Sequence, residues 1–321
     1  MSSDNNLIKL FSSILQSLHQ YGGPVLMITG TISSILSLCV FSRRSLRKNP
    51  CTIYLIGTNI ASLFLIYTSN LTLTLTYGYS IDLTRYNLFF CRFRAYTLYV
   101  FDVLSPSYLI LASIDRVLIT SRNPLTRRKS TVRRAYTCIM IVTIFWLIVH
   151  THALILMELK TFPSGSIVCV FYSDLYLSVM SYYPLVTKVI LIPSMLITLA
   201  LWTIQNVGTT LRVTHPVAAQ VSRVIPSRNV TKPKSKDRQL IRILLVSITT
   251  YIVFNIIQSA ILIYQEVTKF YTKTYLQSRI EGFVLILSAT VTSIPFCIEA
   301  YTNLIVSKTF RQEVKNIFTC K

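Results

Sequence analysis

Seven stretches of this chain are apolar for at least a full membrane crossing, at 22–41, 51–77, 89–120, 135–157, 185–207, 240–264 and 281–305. Short polar segments, most of them basic, separate the stretches. A helix needs roughly 20 mainly apolar residues, at ~1.5 Å each, to cross a bilayer. Each stretch is too long for an outer-membrane strand and lacks strict alternation. The third begins with Arg92 and Arg94, whose long side chains can snorkel toward the interface. The pattern therefore predicts an all-α bundle of seven transmembrane helices with no internal repeat and no soluble domain. Ahead of it, Leu7, Leu10, Phe11, Ile14, Leu15 and Leu18 recur at helical spacing. This segment either lies flat on the membrane or extends the first span. It is not a cleaved signal peptide, because it lacks a basic start.

Composition agrees with the pattern. Of 321 residues, 52% are hydrophobic and only 13% charged, where soluble chains carry about 25% charged residues. The net charge of +21 would point to nucleic acid in a soluble protein. Here the basic residues sit between apolar runs, and no nucleic-acid partner is expected. The segments 42–50, 117–134, 208–239 and the tail after 305, with Arg116 and Arg242 at helix ends, hold 23 of the 32 Lys and Arg. An excess of basic residues near span ends marks the cytoplasmic side. That places the N-terminus outside and divides the chain into an extracellular tail (1–21), a seven-helix domain (22–305), and an amphipathic helix with a cytoplasmic tail (306–321). It makes the protein multi-pass, with anionic inner-leaflet lipids as expected partners of the basic face.

Seven cysteines are too few and too scattered for a disulfide scaffold. Only Cys91, heading the third span, and Cys169, in the loop after the fourth, fall on the outer side. They either form a bridge pinning that loop over the bundle mouth or remain two free thiols. The β-prone run from Ile167 to Tyr172 around Cys169 predicts a hairpin. At the other end of the third span, Arg116 lies 25 residues after Cys91, about 37 Å along a helix. A guanidinium at that depth has to pair or reach water, and Asp115 stands beside it in sequence.

These residues resemble the rhodopsin-like (class A) G-protein-coupled receptors. The likeness rests on seven spans with the N-terminus outside, Cys91 and Cys169, Asp115-Arg116-Val117 in place of Asp-Arg-Tyr, Trp146 in the fourth span, Pro193 in the fifth, and Phe310-Arg311 after the seventh. It covers the whole bundle, with the Cys91-to-Arg116 spacing its most specific element. Departures are Thr31 after Gly30, Asn59 or Ser62 in place of a second-span Asp, and Phe254-Asn255-Ile256-Ile257 in place of the sixth-span Cys-Trp-x-Pro. In the seventh, Ala300-Tyr301 and Leu304 replace the Asn-Pro and Tyr. The set looks like a divergent invertebrate-type peptide or chemosensory receptor.

The resemblance implies a plasma-membrane receptor for an extracellular ligand, acting on a heterotrimeric G protein. It also implies that an acid at the start of the sixth span holds Arg116 in the resting state. Asp237 is the candidate, the alternative being a helix-start residue among Lys234, Lys236 and Arg238. With only a short outer tail, the ligand must reach the bundle, which suits a small peptide such as a neuropeptide, or a small molecule. Tyr172, Tyr176, Tyr182 and Tyr183 make its outer loop aromatic, as a peptide site or as an interfacial belt. Asp102 and Glu299 are the acids deepest in the bilayer, hence candidates for a ligand or ion pocket, with Ser105 one turn from Asp102. The family's amine-binding Asp would fall near Leu98, which disfavours a monoamine.

No lysine occurs in 281–305, so a retinal Schiff base there is excluded and no cofactor is expected. His150 and His152, two apart on a helix, face different directions and make poor metal partners. No phosphate loop, catalytic triad or paired carboxylates appear, so enzymatic activity is not expected. The sequons at Asn70 and Asn229 fall in a span and in the cytoplasm and are not expected to be used. Cys320 is either palmitoylated or a free thiol. The competing reading is a multi-span transporter or ion channel, for which Pro106, Pro193 and Pro295 lack the repeat symmetry transporters show.

Overall fold

The computed structural model describes residues 2–161, 167–214 and 235–319. Seven of its helices are long and apolar enough to cross a membrane: α1 (Asp4–Phe41), α2 (Pro50–Gly78), α3 (Leu88–Thr120), α4 (Val132–Leu156), α5 (Leu175–Gly208), α6 (Asp237–Val267) and α7 (Tyr275–Val306). An antiparallel hairpin of β1 (Met157–Thr161) and β2 (Ile167–Phe171) follows α4. An amphipathic helix, α8 (Lys308–Phe318), follows α7. The chain is a multi-pass, all-α membrane protein. The hairpin marks one end of the bundle, here the hairpin end; α8 and the short α1–α2 and α3–α4 connections mark the basic end. Cys320, the sequon Asn229-Val230-Thr231 and the basic residues Arg223, Arg228, Lys232, Lys234 and Lys321 lie outside the described residues.

Local chemistry sets the helix starts. Asn49, Asn87 and Thr274 each accept a hydrogen bond from a backbone N–H two or three residues on, at 3.1, 2.8 and 3.2 Å. Such caps satisfy one of the orphan donors at a helix start. Pro50, at the first helical position of α2, has no N–H to strand.

Side-chain size sorts the faces of α1 in the reverse of a soluble helix. Val25, Ile28, Ile32 and Ile35 point outward at 52–60% exposure, while Gly30, Ser33, Ser34 and Ser37 are buried. A methyl on Gly30 would stand 2.8 Å from Ile66 Cδ1 and 2.9 Å from Cys297 Sγ. Small residues let helix backbones approach where lipid, as apolar as leucine, provides no hydrophobic drive. On α4, Met140, Ile141, Ile144, Phe145 and Ile148 face outward in the same way.

Several elements depart from the sequence pattern. Helix is already formed at Asp4 rather than starting near residue 22, so residues 4–21 are not a free tail: a loosely wound turn, Leu18–Gly22, joins them to the rest of α1. Phe11 packs on Phe283 with ring centroids 4.8 Å apart and the rings tilted, and the His19 ring bonds Leu15 O at 2.8 Å and Thr290 Oγ1 at 3.1 Å. The apolar spacing of that segment serves packing on α7, which is the extension alternative. In α5, the turn before Pro193 widens to i→i+5 bonding over Leu185–Leu191, because Pro193 has no N–H for the carbonyl four residues back. In α7 the helix breaks at Thr292–Ser293 ahead of Pro295 for the same reason.

Cys91 and Cys169 form a disulfide with Cα atoms 5.8 Å apart, closing a sequence separation of 78 residues. Cys169 lies in β2, paired with Leu159 of β1, so the hairpin expected around it is present. Arg92 points back into the protein, its Nε donating to Met157 O at 2.9 Å where β1 begins. Loop-closure entropy makes such a bridge worth about 4 kcal/mol. Cys91→Ser and Cys169→Ser should therefore lower the thermal midpoint of the detergent-solubilised protein equally, and the double variant no further. A double variant less stable than either single one would argue against a shared bond.

Candidate functional site

The basic end is organised around one side chain. Arg116, in the last turn of α3, is fully buried. Its Nη2 donates to Asp115 Oδ2 and to Asn49 Oδ1, both at 2.6 Å, and its Nη1 stands 3.7 Å from Asp237 Oδ1. Asn49 Nδ2 in turn donates to Asp237 Oδ1 at 2.9 Å. Asp115 also accepts a hydrogen bond from Ser130, in the α3–α4 connection. One amide thus caps α2, receives the α3 guanidinium and holds the first turn of α6. Among the described residues Arg116 Nε and Nη1 form no hydrogen bond.

A second tie runs beside it. Gln239 Oε1 accepts from Thr309 N at 2.5 Å and from Ser307 Oγ at 3.1 Å, joining the foot of α6 to the start of α8. Phe310 is buried under α8 against Phe41, with centroids 5.6 Å apart. Arg311 Nη1 reaches back to Leu304 O at 2.7 Å and Ile305 O at 2.8 Å, satisfying carbonyls at the end of α7.

Mid-bundle, the acids expected in one pocket separate. Glu299 is buried and accepts from Asn59 Nδ2 at 3.2 Å. Ser105 Oγ lies 3.0 Å from Ser62 Oγ. Ser105 and Glu299 both line a cavity of about 30 Å³ between α2, α3, α6 and α7, with Thr58, Pro106 and Tyr251. That is room for about two waters. Asp102 is not in it. Its carboxylate is ion-paired with Lys188 of α5, so the grouping of Asp102 with Ser105 does not hold. One helical turn rotates Ser105 onto α2, whereas Asp102 faces α5. The widened turn Leu185–Leu191 carries Lys188.

At the hairpin end, aromatic rings collect under β2. Trp146 donates from Nε1 to Ser107 Oγ at 3.0 Å and stacks on His150 at 5.5 Å. His150 Nε2 meets Tyr183 Oη at 3.2 Å, and Tyr99 packs against His150, Phe171 and Tyr183. The two histidine rings lie 5.7 Å apart. They do not face apart, because α4 leaves helical geometry at His150–Thr151 and restarts at His152. Of the four loop tyrosines, Tyr176 and Tyr183 enter this cluster, while Tyr172 and Tyr182 stay exposed. Among the described residues no group of three or more His, Cys, Asp or Glu converges for a metal.

Sequence reasoning missed Asn49, Gln239, Ser130 and Lys188. Asn49 before Pro50 carries a helix-start signal but no sign of its second and third contacts. Comparison with known proteins adds no relative: no protein-family model matches the chain and no curated protein is similar to it in sequence.

Asn49→Ala removes the cap and leaves buried Arg116 one acceptor short, at a cost of about 1–3 kcal/mol. The thermal midpoint in detergent should fall by several degrees. An unchanged midpoint would show that Asn49 does not hold the network.

Proposed function

We propose that the protein is a rhodopsin-like G-protein-coupled receptor of the plasma membrane, with its N-terminus and hairpin end outside and its basic end in the cytosol. Ligand enters the bundle from the hairpin end and promotes nucleotide exchange on a heterotrimeric G protein at the basic end. The reading rests on the resemblance of sequence and, above all, on one observation: a buried guanidinium at the cytosolic end of α3 is joined to the first turn of α6 by contacts α6 can release. Asp237, at 23% side-chain exposure, reaches water when α6 swings away, and Arg116 keeps Asp115. Outward movement of α6 then uncovers Arg116 and opens a cleft for the partner, a two-state switch. The Gln239 tie to α8 sets how far α6 moves before it meets resistance. Lys308, Arg311 and Lys315 on α8 lie where anionic lipid headgroups would meet them.

Arg116→Ala should abolish G-protein coupling in cells while surface expression persists; ligand-driven signalling that survives in that variant would overturn the reading. Asp237→Ala removes a partly exposed contact worth up to about 1 kcal/mol, so ligand-free nucleotide exchange should rise roughly fivefold. A variant as quiet as the parent would remove Asp237 from the switch. An epitope tag at residue 1 accessible only after permeabilisation would reverse the orientation and the proposal with it.

A further inference from the structure

Lys188 and Asp102 face each other across α3 and α5 within the apolar spans, yet neither is sealed. Their side chains keep 18% and 24% exposure. The ammonium spends one of three donors on Asp102 Oδ2, and neither group makes another hydrogen bond among the described residues. Pro106, four residues on, has no N–H to offer the Asp102 backbone carbonyl. Phenols of Tyr99, Tyr183 and Tyr251 lie within electrostatic reach of the Asp102 carboxylate. The site therefore presents a fixed dipole whose two poles both stay partly open, with aromatic side chains near the carboxylate.

A charge inside a membrane span is expensive, and an apolar pair would fasten α3 to α5 as firmly. The unspent valences fit a ligand better than a tie. We infer that the Asp102–Lys188 pair is the receiving site for a free α-amino acid, its ammonium on Asp102 and its carboxylate on Lys188. The ammonium and carboxylate of an α-amino acid stand about 3 Å apart, the spacing of a charge-assisted hydrogen bond. The ligand dipole thus lies antiparallel to the protein dipole and closes a square of alternating charges without breaking the existing pair. A dipeptide, with its charges further apart, closes no such square, and a ligand with one charge leaves one pole open. The nearby Tyr99 and Tyr183 rings favour an apolar or aromatic side chain on the amino acid, since aromatic rings interact edge to face. This names the ligand class of the receptor proposed above and depends on that reading for its consequence, although the binding itself does not.

The test is a thermal-shift titration of the purified full-length protein in detergent with the standard α-amino acids, their N-acetyl and amide forms, and matching dipeptides. At least one amino acid with an apolar or aromatic side chain should raise the midpoint in a concentration-dependent way, as a ligand of the folded state must. Blocking either charge should weaken binding roughly 10- to 100-fold, and the dipeptide should bind more weakly than its parent. The double variant D102N/K188Q strands no buried charge, so it should fold and lose the shift, while Arg116→Ala should keep it. If no amino acid shifts the midpoint, if a singly charged form binds as well, or if the double variant still binds, the site is wrong. An amino-acid shift in a protein that activates no G protein leaves this site standing and removes the receptor reading instead.

Discussion

A guanidinium without exposed surface must find its counter-charge and its acceptors inside the protein, and the basic end is arranged to meet that demand. Arg116 carries +1 against −1 each on Asp115 and Asp237, with Asn49 between them. The distribution is unequal. Asp115 is buried and adjacent, and it is further fixed by Ser130, whereas Asp237 is partly exposed and stands 3.7 Å away. Releasing Asp237 therefore strands no buried charge, because the Arg116–Asp115 pair remains neutral as a unit. Breaking Asp115 away would leave the cation unpaired, at a cost several times larger. The network thus has one strong bond and one weak one, and the weak one belongs to α6.

Elsewhere, too, the interior is polar where a soluble core would be apolar. Ser33, Ser34 and Ser37 of α1, Thr52, Asn59 and Ser62 of α2, and Asn303 of α7 are all buried. In lipid, aliphatic side chains lose nothing by facing outward, so isoleucines line the outside and small polar residues line the contacts. Hydroxyls of Thr58 and Ser113 return to backbone carbonyls on their own helices at 3.1 and 2.8 Å, which satisfies them without a partner helix. The Asn59–Glu299 and Ser62–Ser105 contacts cross between helices and set their rotation.

The seven spans were legible because lipid writes a coarse rule, about 20 apolar residues at a time. The hairpin and the cysteine pair were legible because β-prone residues and cysteines are rare in such loops. The start of α1 was not. Residues 4–21 carry a helical pattern that suits a membrane surface and a packed extension equally, and only the contacts of Phe11 and His19 with α7 decide. Lys188 failed to register because it is a single charge within an apolar run and its partner, Asp102, lies on another helix 86 positions away in sequence. Asn49 and Gln239 were invisible for another reason: each binds residues more than 60 positions away, and nothing local encodes such partners. His150 and His152 misled because the helix was assumed to continue where it stops.

Two ion pairs on α3 define what a signal through this bundle would have to cross. Asp102 and Arg116 are separated by 14 residues of one helix, about 21 Å, and α3 runs unbroken through Pro106 between them. A rigid rod cannot carry the message by bending, so it must pass through the helix that meets α3 at both levels. Tyr251 of α6 is that meeting point: it lies in the field of Asp102 and also lines the cavity with Ser105 and Glu299. Asp237 is 14 residues toward the basic end of the same helix. The cavity supplies the slack a close-packed interior lacks, since about 30 Å³ at the α3–α6 contact lets Tyr251 shift without displacing backbone. In the receptor proposed above, a displacement of α6 pivoting there would be amplified along the helix to its foot, where the weak 3.7 Å contact, and not the Asp115 pair, would yield first.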